Sequence, residues 1–160
     1  MGTSAGFLVN ANKYDFKKFL SDIFISSLMC DLMLSSYNDK YFSENGDLSH
    51  VRIYISDKYV NENDRKCFMI FVDTNHYVTE FYNYEELNID QSLNLSRVAL
   101  IENVIENHEI IFRFAHHYLR LNPDDFFWVT DNDWVYTLDD MNTLSKKPYN
   151  SNWYFTNPKK

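Results

Sequence analysis

Short segments rich in β-branched and aromatic residues follow one another closely in the middle of the sequence, and their spacing restricts the topology more than any other feature. They span residues 51–56, 67–73 and 77–82, and residues of these types favour strands. The polar linkers between them, residues 57–66 and 74–76, are too short for the helical crossover that joins parallel strands. The sequence therefore predicts a three-stranded antiparallel meander.

The segment before the meander has the period of an amphipathic helix. This helix is predicted to begin near Tyr14, with Asn12 or Asp15 as its cap. Its apolar stripe recurs at spacings of three and four and consists of Phe16, Phe19, Leu20, Ile23 and Phe24. In residues 28–34 the apolar side chains lie on all sides of the helix instead. We expect that half to be a buried core helix, to bend into a second short helix, or to meet a partner.

A second helical pattern follows the meander. It is predicted to start at Asn94 or Ser96 and to end before Pro123, because proline pushes the preceding residue out of the helical conformation. An extended segment at residues 126–130, a turn and a shorter extended segment at residues 134–136 then predict a hairpin. The order of elements predicts an α+β fold, with an antiparallel sheet (the meander plus the C-terminal hairpin) packed against the N-terminal and central amphipathic helices.

The C-terminal residues add two local predictions. Thr137 is a suitable cap for a short last helix that carries Asp139 and Asp140 in its first turn, where carboxylates interact favourably with the helix dipole. The polar tail from Pro148 is interrupted by three consecutive aromatic residues, Trp153 to Phe155. We expect this tail to dock on the body of the domain.

The composition predicts one domain over residues 1–160. The chain has 45% apolar residues but only 3 Gly and 3 Pro, so it can bury a core and contains no flexible linker. Cys30 and Cys67 lack the spacing of a zinc site and are expected to be buried thiols. No secretory signal pattern is present, and the most apolar stretch, residues 23–34, contains an aspartate and cannot span a bilayer. These features predict a cytoplasmic location.

Negative charge is concentrated between Asp73 and Asp140. This stretch contains 14 acidic and 3 basic residues and so has a net charge of −11, against −8 for the whole chain. Such a field repels nucleic acid phosphates and anionic lipids and attracts basic proteins. The sequence therefore predicts a basic protein partner, and neither direct nucleic acid binding nor membrane binding.

Catalytic motifs are absent from the sequence. It has no GxSxG elbow and no glycine-rich phosphate loop, since its glycines are Gly2, Gly6 and Gly46. The Asp-Asn-Asp run at residues 131–133 lacks the glycine and glutamate of a calcium loop. We therefore predict no catalytic residue, cofactor or metal. His108 falls in the apolar arc of the second helix, where it is either a buried hydrogen-bonded histidine or the base of an enzyme.

Residues 124–136 combine four aspartates with five aromatic residues and contain no basic residue. Aromatic rings amid charge of one sign are typical of a protein-binding surface. The alternative is that the rings fill the core while the aspartates cap turns. On the first interpretation, the candidate partner-binding residues are Asp124, Asp125, Trp128, Asp131, Asp133, Trp134, Glu85 and Glu86.

Three functional hypotheses follow from these observations. The first is a small acidic protein-binding or inhibitor domain that occludes the site of a basic toxin or effector, as bacterial immunity proteins do. The second is a nucleic-acid mimic or adaptor, encoded by a mobile element, that acts on a host DNA-handling protein. The third is a small α+β enzyme that uses His108 with nearby carboxylates. A homodimer is compatible with each of them.

Overall fold

The computed structural model describes residues 2–36, 40–59, 61–75 and 84–160. The helices α1 and α3 are the longest elements, and α2 is a single turn. In chain order the elements are β1 (Ala5–Asn10), α1 (Phe16–Met29), β2 (Met33–Ser35), β3 (Lys40–Phe42), β4 (Leu48–Ser56), β5 (Cys67–Asp73), α2 (Tyr84–Leu87), β6 (Leu95–Glu102), α3 (Val104–Leu121), β7 (Phe126–Val129) and α4 (Leu138–Ser145). Short 3-10 turns span Gln91–Leu93 and Trp153–Phe155.

The strands form one antiparallel sheet against which the helices pack, so the predicted α+β class is confirmed. The described residues contribute seven strands to it, in the order β2-β4-β5-β6-β1-β7, with β3 also paired to β4. The predicted strands at residues 51–56 and 67–73 are found in β4 and β5, which pair antiparallel with Ile53 opposite Ile70. The third predicted strand of the meander, residues 77–82, lies outside the described residues.

The prediction of helix from Asn94 or Ser96 was wrong, because residues 95–102 form strand β6. This strand pairs with β5 on one side and β1 on the other, and it is buried on both faces. A strand buried on both faces loses the alternation of polar and apolar residues that distinguishes it from a helix. Asn103, in the left-handed conformation with φ of 62°, separates β6 from α3. The helix ends at Leu121, before Pro123, as predicted.

The first helix is shorter than its apolar pattern indicated. Its predicted cap is confirmed, since the Asp15 side chain accepts a hydrogen bond from the Lys18 amide. The helix ends at Met29, and Met33–Ser35 forms β2. Of residues 28–34, expected to be buried or to meet a partner, Leu32 is buried, whereas Leu28 and Met29 are 57% and 63% exposed. Phe24 and Ile25, on the preceding turn of α1, are also exposed.

The main core lies between one face of the sheet and the helices α1 and α3. Phe7 of β1 is its centre, since its ring is fully buried. It lies in contact distance of four other rings, those of Phe19 of α1, Phe114 and Tyr118 of α3, and Phe127 of β7. Aromatic rings carry large buried areas, so this cluster fastens both helices to the sheet.

The C-terminal predictions are confirmed except for the second strand of the hairpin. Tyr136 pairs with Phe127 of β7 through two backbone hydrogen bonds as an isolated bridge, so residues 134–136 do not form a strand. Thr137 and Asp140 form a reciprocal capping box at the start of α4. In the tail, Trp153 and Tyr154 are buried against the main core.

The close approach of β1 to β6 generates a stability prediction. A Cβ atom added at Gly6 would lie 2.4 Å from the Ala99 carbonyl oxygen, so a backbone atom would have to move. We expect Gly6→Ala to lower the free energy of unfolding by about 1–3 kcal/mol. Urea denaturation followed by circular dichroism measures this change.

The matched control for this substitution is Gly2→Ala. A Cβ atom at Gly2 would meet its nearest neighbour, Asn103 Oδ1, at 4.0 Å, an ordinary contact. Its free energy of unfolding should change by less than about 0.5 kcal/mol. Equal effects of the two substitutions would show that the β1–β6 approach does not constrain the fold.

Candidate functional site

The loop that follows β7, residues 130–133, is fixed to the N-terminal segment of the chain. The Thr130 amide donates to the Ser4 carbonyl at 3.0 Å, and the Thr130 hydroxyl lies 2.9 Å from the Ser4 hydroxyl. The Thr3 hydroxyl donates to Asp131 Oδ2 at 3.0 Å. Because Thr3 and Ser4 lead directly into β1, the position of this loop is set by the central sheet.

The same loop is also tied to the C-terminal tail through Asn132. This residue is buried, and its side-chain amide donates to the Tyr154 carbonyl at 2.7 Å. Its own carbonyl accepts from the Trp128 indole Nε1 at 3.1 Å. These bonds fix both the loop backbone and the orientation of the indole, while Asp131 and Asp133 on either side of Asn132 remain exposed.

A cavity of about 500 Å³ opens beside this loop, and we call it the acidic cavity. The carboxylates of Glu86, Asp131 and Asp133 line it, and all three residues are exposed. No basic residue lines it among the described residues. The described residues that line it are Glu86, Leu87, Trp128, Thr130, Asp131, Asn132 and Asp133.

The indole of Trp128 lies at the boundary between this cavity and a small second core. Trp128 is half-buried and packs against a cluster formed by Leu8, Leu87, Leu95 and Val135. An aromatic ring that packs on apolar side chains and lines the same cavity as exposed carboxylates is well suited to anchor a partner.

The other predicted site residues do not join this cavity. Asp124 and Asp125 precede β7 and line a separate cleft. Trp134 packs against the main core and lines neither cavity. The side chain of Glu85 lies outside the described part of the structure. The single acidic and aromatic surface expected over residues 124–136 is thus divided by β7 into two sites.

The separate cleft, of about 670 Å³, lies between α1, α3 and the loop before β7, and we call it the α1–α3 cleft. Lys18 Nζ lies 2.5 Å from Asp22 Oδ2 and 2.7 Å from Asn122 Oδ1. Asn122 Nδ2 also donates to Asp22 Oδ2, at 3.1 Å. Sequence reasoning did not find this network. Its only signal was the i,i+4 spacing of Lys18 and Asp22, because Asn122 comes from a distant part of the chain.

Asp125 lies in the same cleft and has a perturbed acidity. It accepts a hydrogen bond from the buried Tyr118 hydroxyl at 2.7 Å. Burial raises the pKa of Asp125 to about 6, although the Tyr118 hydrogen bond and nearby Lys18 act in the opposite direction. Burial, together with the Asp125 charge, raises the pKa of Tyr118 well above its ordinary value. Both groups therefore resist ionisation in the folded state.

The histidines of α3 serve packing. His108 is half-buried, its ring stacks with those of Tyr149 and Tyr154, and its Nδ1 is hydrogen-bonded to the Tyr149 hydroxyl. It lines neither of the two described cavities. His116 is buried, and its Nε2 lies 2.8 Å from Asn142 Oδ1 of α4. Burial lowers the pKa of His116.

Within the described residues, no group of three or more His, Cys, Asp or Glu side chains is arranged to hold a metal ion. None of the helices in those parts of the chain combines the length and the apolar character needed to cross a membrane.

Comparison with known proteins yields no relative from which to transfer a function. No protein-family model matches the sequence, and neither a curated protein nor a solved structure matches the chain. The function must therefore be argued from the two cavities.

The raised pKa of Asp125 predicts how stability depends on pH. The folded-state value of about 6 lies above the ordinary value of 3.8, so between them the folded protein binds more protons than the unfolded chain. The contribution of Asp125 to the free energy of unfolding is therefore greatest below pH 3.8, falls as the pH rises to about 6 and is constant above that pH. Asp125→Asn should remove this loss and become more stable than the wild type by about 2 kcal/mol at neutral pH.

Urea denaturation of both proteins at acidic and neutral pH measures the effect. The stability difference between Asp125→Asn and the wild type should grow in favour of the variant as the pH rises. Asp124→Asn is the matched control, because Asp124 is an exposed neighbour in the same loop. A difference that does not change with pH would contradict the assignment of a half-buried carboxyl with a raised pKa at Asp125.

Proposed function

We propose that this protein is a small protein-binding domain that neutralises a basic partner. The surface around the acidic cavity binds the partner and blocks its functional site. The observation that carries the proposal is the combination of Trp128 with three exposed carboxylates, those of Glu86, Asp131 and Asp133, around one cavity. Aromatic anchors supply desolvated contact area, and carboxylates supply steering and specificity.

Preorganisation of the acidic loop supports this proposal. Hydrogen bonds from Thr3 and to Tyr154 hold the loop from two directions. A loop that is already in its bound conformation loses less entropy on association. The exposed carboxylates on it are thus arranged to bind without rearrangement.

The character of the proposed partner follows from charge. The stretch from Asp73 to Asp140 has a net charge of −11, and this field accelerates association with a basic protein while it repels nucleic acids and anionic membranes. A basic toxin or effector in the same cytoplasm, neutralised in the manner of bacterial immunity proteins, has this character. The acidic surface and the reduced thiols expected for Cys30 and Cys67 are compatible with that setting.

A nucleic-acid mimic that occupies a host DNA-handling protein would use the same carboxylates, and the identity of the partner distinguishes the two. The enzyme hypothesis gains no support from His108. The contacts described for that ring are to Tyr149 and Tyr154 and not to a carboxylate.

Removal of charge from the acidic cavity tests the proposal. In the double variant Asp131→Asn/Asp133→Asn, the amide oxygen introduced at the first position can still accept from Thr3. The fold should therefore be kept, with each exposed charge contributing about 1 kcal/mol or less to stability. Association with the partner should become slower and less sensitive to salt. Pull-down from the native organism with each bait, washed at low and high salt, followed by association kinetics with the recovered protein, measures this.

Trp128→Ala and a matched charge control complete the design. Trp128→Ala should accelerate dissociation, since anchor residues act mainly on the dissociation rate. Asp64→Asn removes a charge of the same kind at an exposed position that lines neither cavity, and its association should equal that of the wild type. If the Asp131→Asn/Asp133→Asn protein associates like the wild type at every salt concentration, the acidic cavity is not the binding surface.

A further inference from the structure

The α1–α3 cleft contains carboxylate oxygens that the protein itself does not use. Asp22 lines the cleft and is 9% exposed. Its Oδ2 accepts from Lys18 and Asn122, while its Oδ1 has no hydrogen-bond donor in the described part of the chain. Asp125 is similar, since Oδ2 accepts from Tyr118 and Oδ1 has no such donor there. Neither Oδ1 is among the fully buried side-chain atoms that have no partner, so both oxygens remain accessible as acceptors for a ligand in the cleft.

The electrostatic environment of the cleft favours a positive charge. Asp22 and Asp125 interact with each other, and Lys18 interacts with both. The only basic residues among its described lining are Lys13 and Lys18, against five aspartates. The Lys18 ammonium already donates to Asp22 Oδ2 and Asn122 Oδ1. The polar residues of the cleft therefore bind a group of this kind within the protein itself.

Apolar residues form another part of the cleft lining. Val9 and Phe19 are buried, and Leu95 and Phe126 complete this side. A volume of about 670 Å³ falls in the range of small-molecule sites, which combine apolar walls with a few convergent polar groups. A ligand that fits both parts must carry a charged head and an apolar stem.

We propose that the α1–α3 cleft is a second binding site that takes a primary ammonium or guanidinium group carried on an alkyl chain. The charged head donates hydrogen bonds to Asp22 Oδ1 and Asp125 Oδ1, and the chain lies along Phe19 and Phe126. Such a group comes either from a free amine or from a lysine or arginine side chain. This inference does not rest on the acidic cavity, from which the cleft shares no lining residue.

Binding of n-hexylamine to the full chain at neutral pH tests this, followed by calorimetry and by NMR shifts of the cleft residues. Hexylamine should bind and shift resonances of Phe19, Tyr118 and Phe126. Two probes of the same length, 1-hexanol and hexanoate, should not bind there, because they lack the positive head. A pentalysine peptide distinguishes the sources. Tighter binding of the peptide than of hexylamine indicates a protein side chain, and the reverse indicates a free amine.

Variants locate the binding within the cleft. Asp125→Asn keeps an acceptor for Tyr118 and should weaken hexylamine binding about tenfold, as expected for loss of one charge-assisted hydrogen bond. Lys18→Met removes the cation that competes for Asp22 and should tighten binding. Asp64→Asn is the charge-matched control and should bind like the wild type. Thermal melts establish that each variant is folded.

The proposal is overturned if hexylamine does not shift the cleft resonances, if 1-hexanol binds as tightly as hexylamine, or if Asp125→Asn binds hexylamine as the wild type does. Each result is independent of the acidic cavity. An Asp131→Asn/Asp133→Asn protein that loses its protein partner but keeps hexylamine affinity would separate the two sites.

Discussion

Burial of β1 between β6 and β7 is the constraint on which the rest of this structure depends. Its two neighbours, β6 and β7, lie far from β1 in the sequence. Both belong to the same sheet because each pairs with β1. Phe7 contributes the ring that α1, α3 and β7 share, and Gly6 allows the close approach to the Ala99 carbonyl. Without this strand, neither helix would have a common surface to pack on.

Both cavities follow from the arrangement of β1 and β7. Thr3 and Ser4, just before β1, hold the acidic loop, whereas Val9 and Asn10, at the other end, line the α1–α3 cleft. The intervening β7 advances by about 3.3 Å per residue. It therefore places the carboxylates that precede it and those that follow it at opposite ends of one strand. Packing in the core and separation of the two sites thus have the same cause.

Local signals in the sequence predicted local structure well. Asp15 and Thr137 were identified as helix caps, and Pro123 as the point where α3 must have ended. The errors concern elements defined by distant contacts: β1 and β6 are buried on both faces, and nothing in a short apolar run distinguishes such a strand from a helix. The acidic residues could be recognised by type, but their division into two sites depends on β7 and was not predicted. The Lys18–Asp22–Asn122 network was missed because it joins residues 104 positions apart in the sequence.

Hydrogen–deuterium exchange of the protein alone and in complex with its recovered partner tests the central claim most directly, because it locates the contact surface without mutation. The account predicts slower exchange in residues 128–133 and 86–88 on binding, around Trp128 and the exposed carboxylates. Unchanged exchange in these segments, with protection on the exposed apolar face of α1 at residues 24–29 instead, would contradict it and assign binding to the helix.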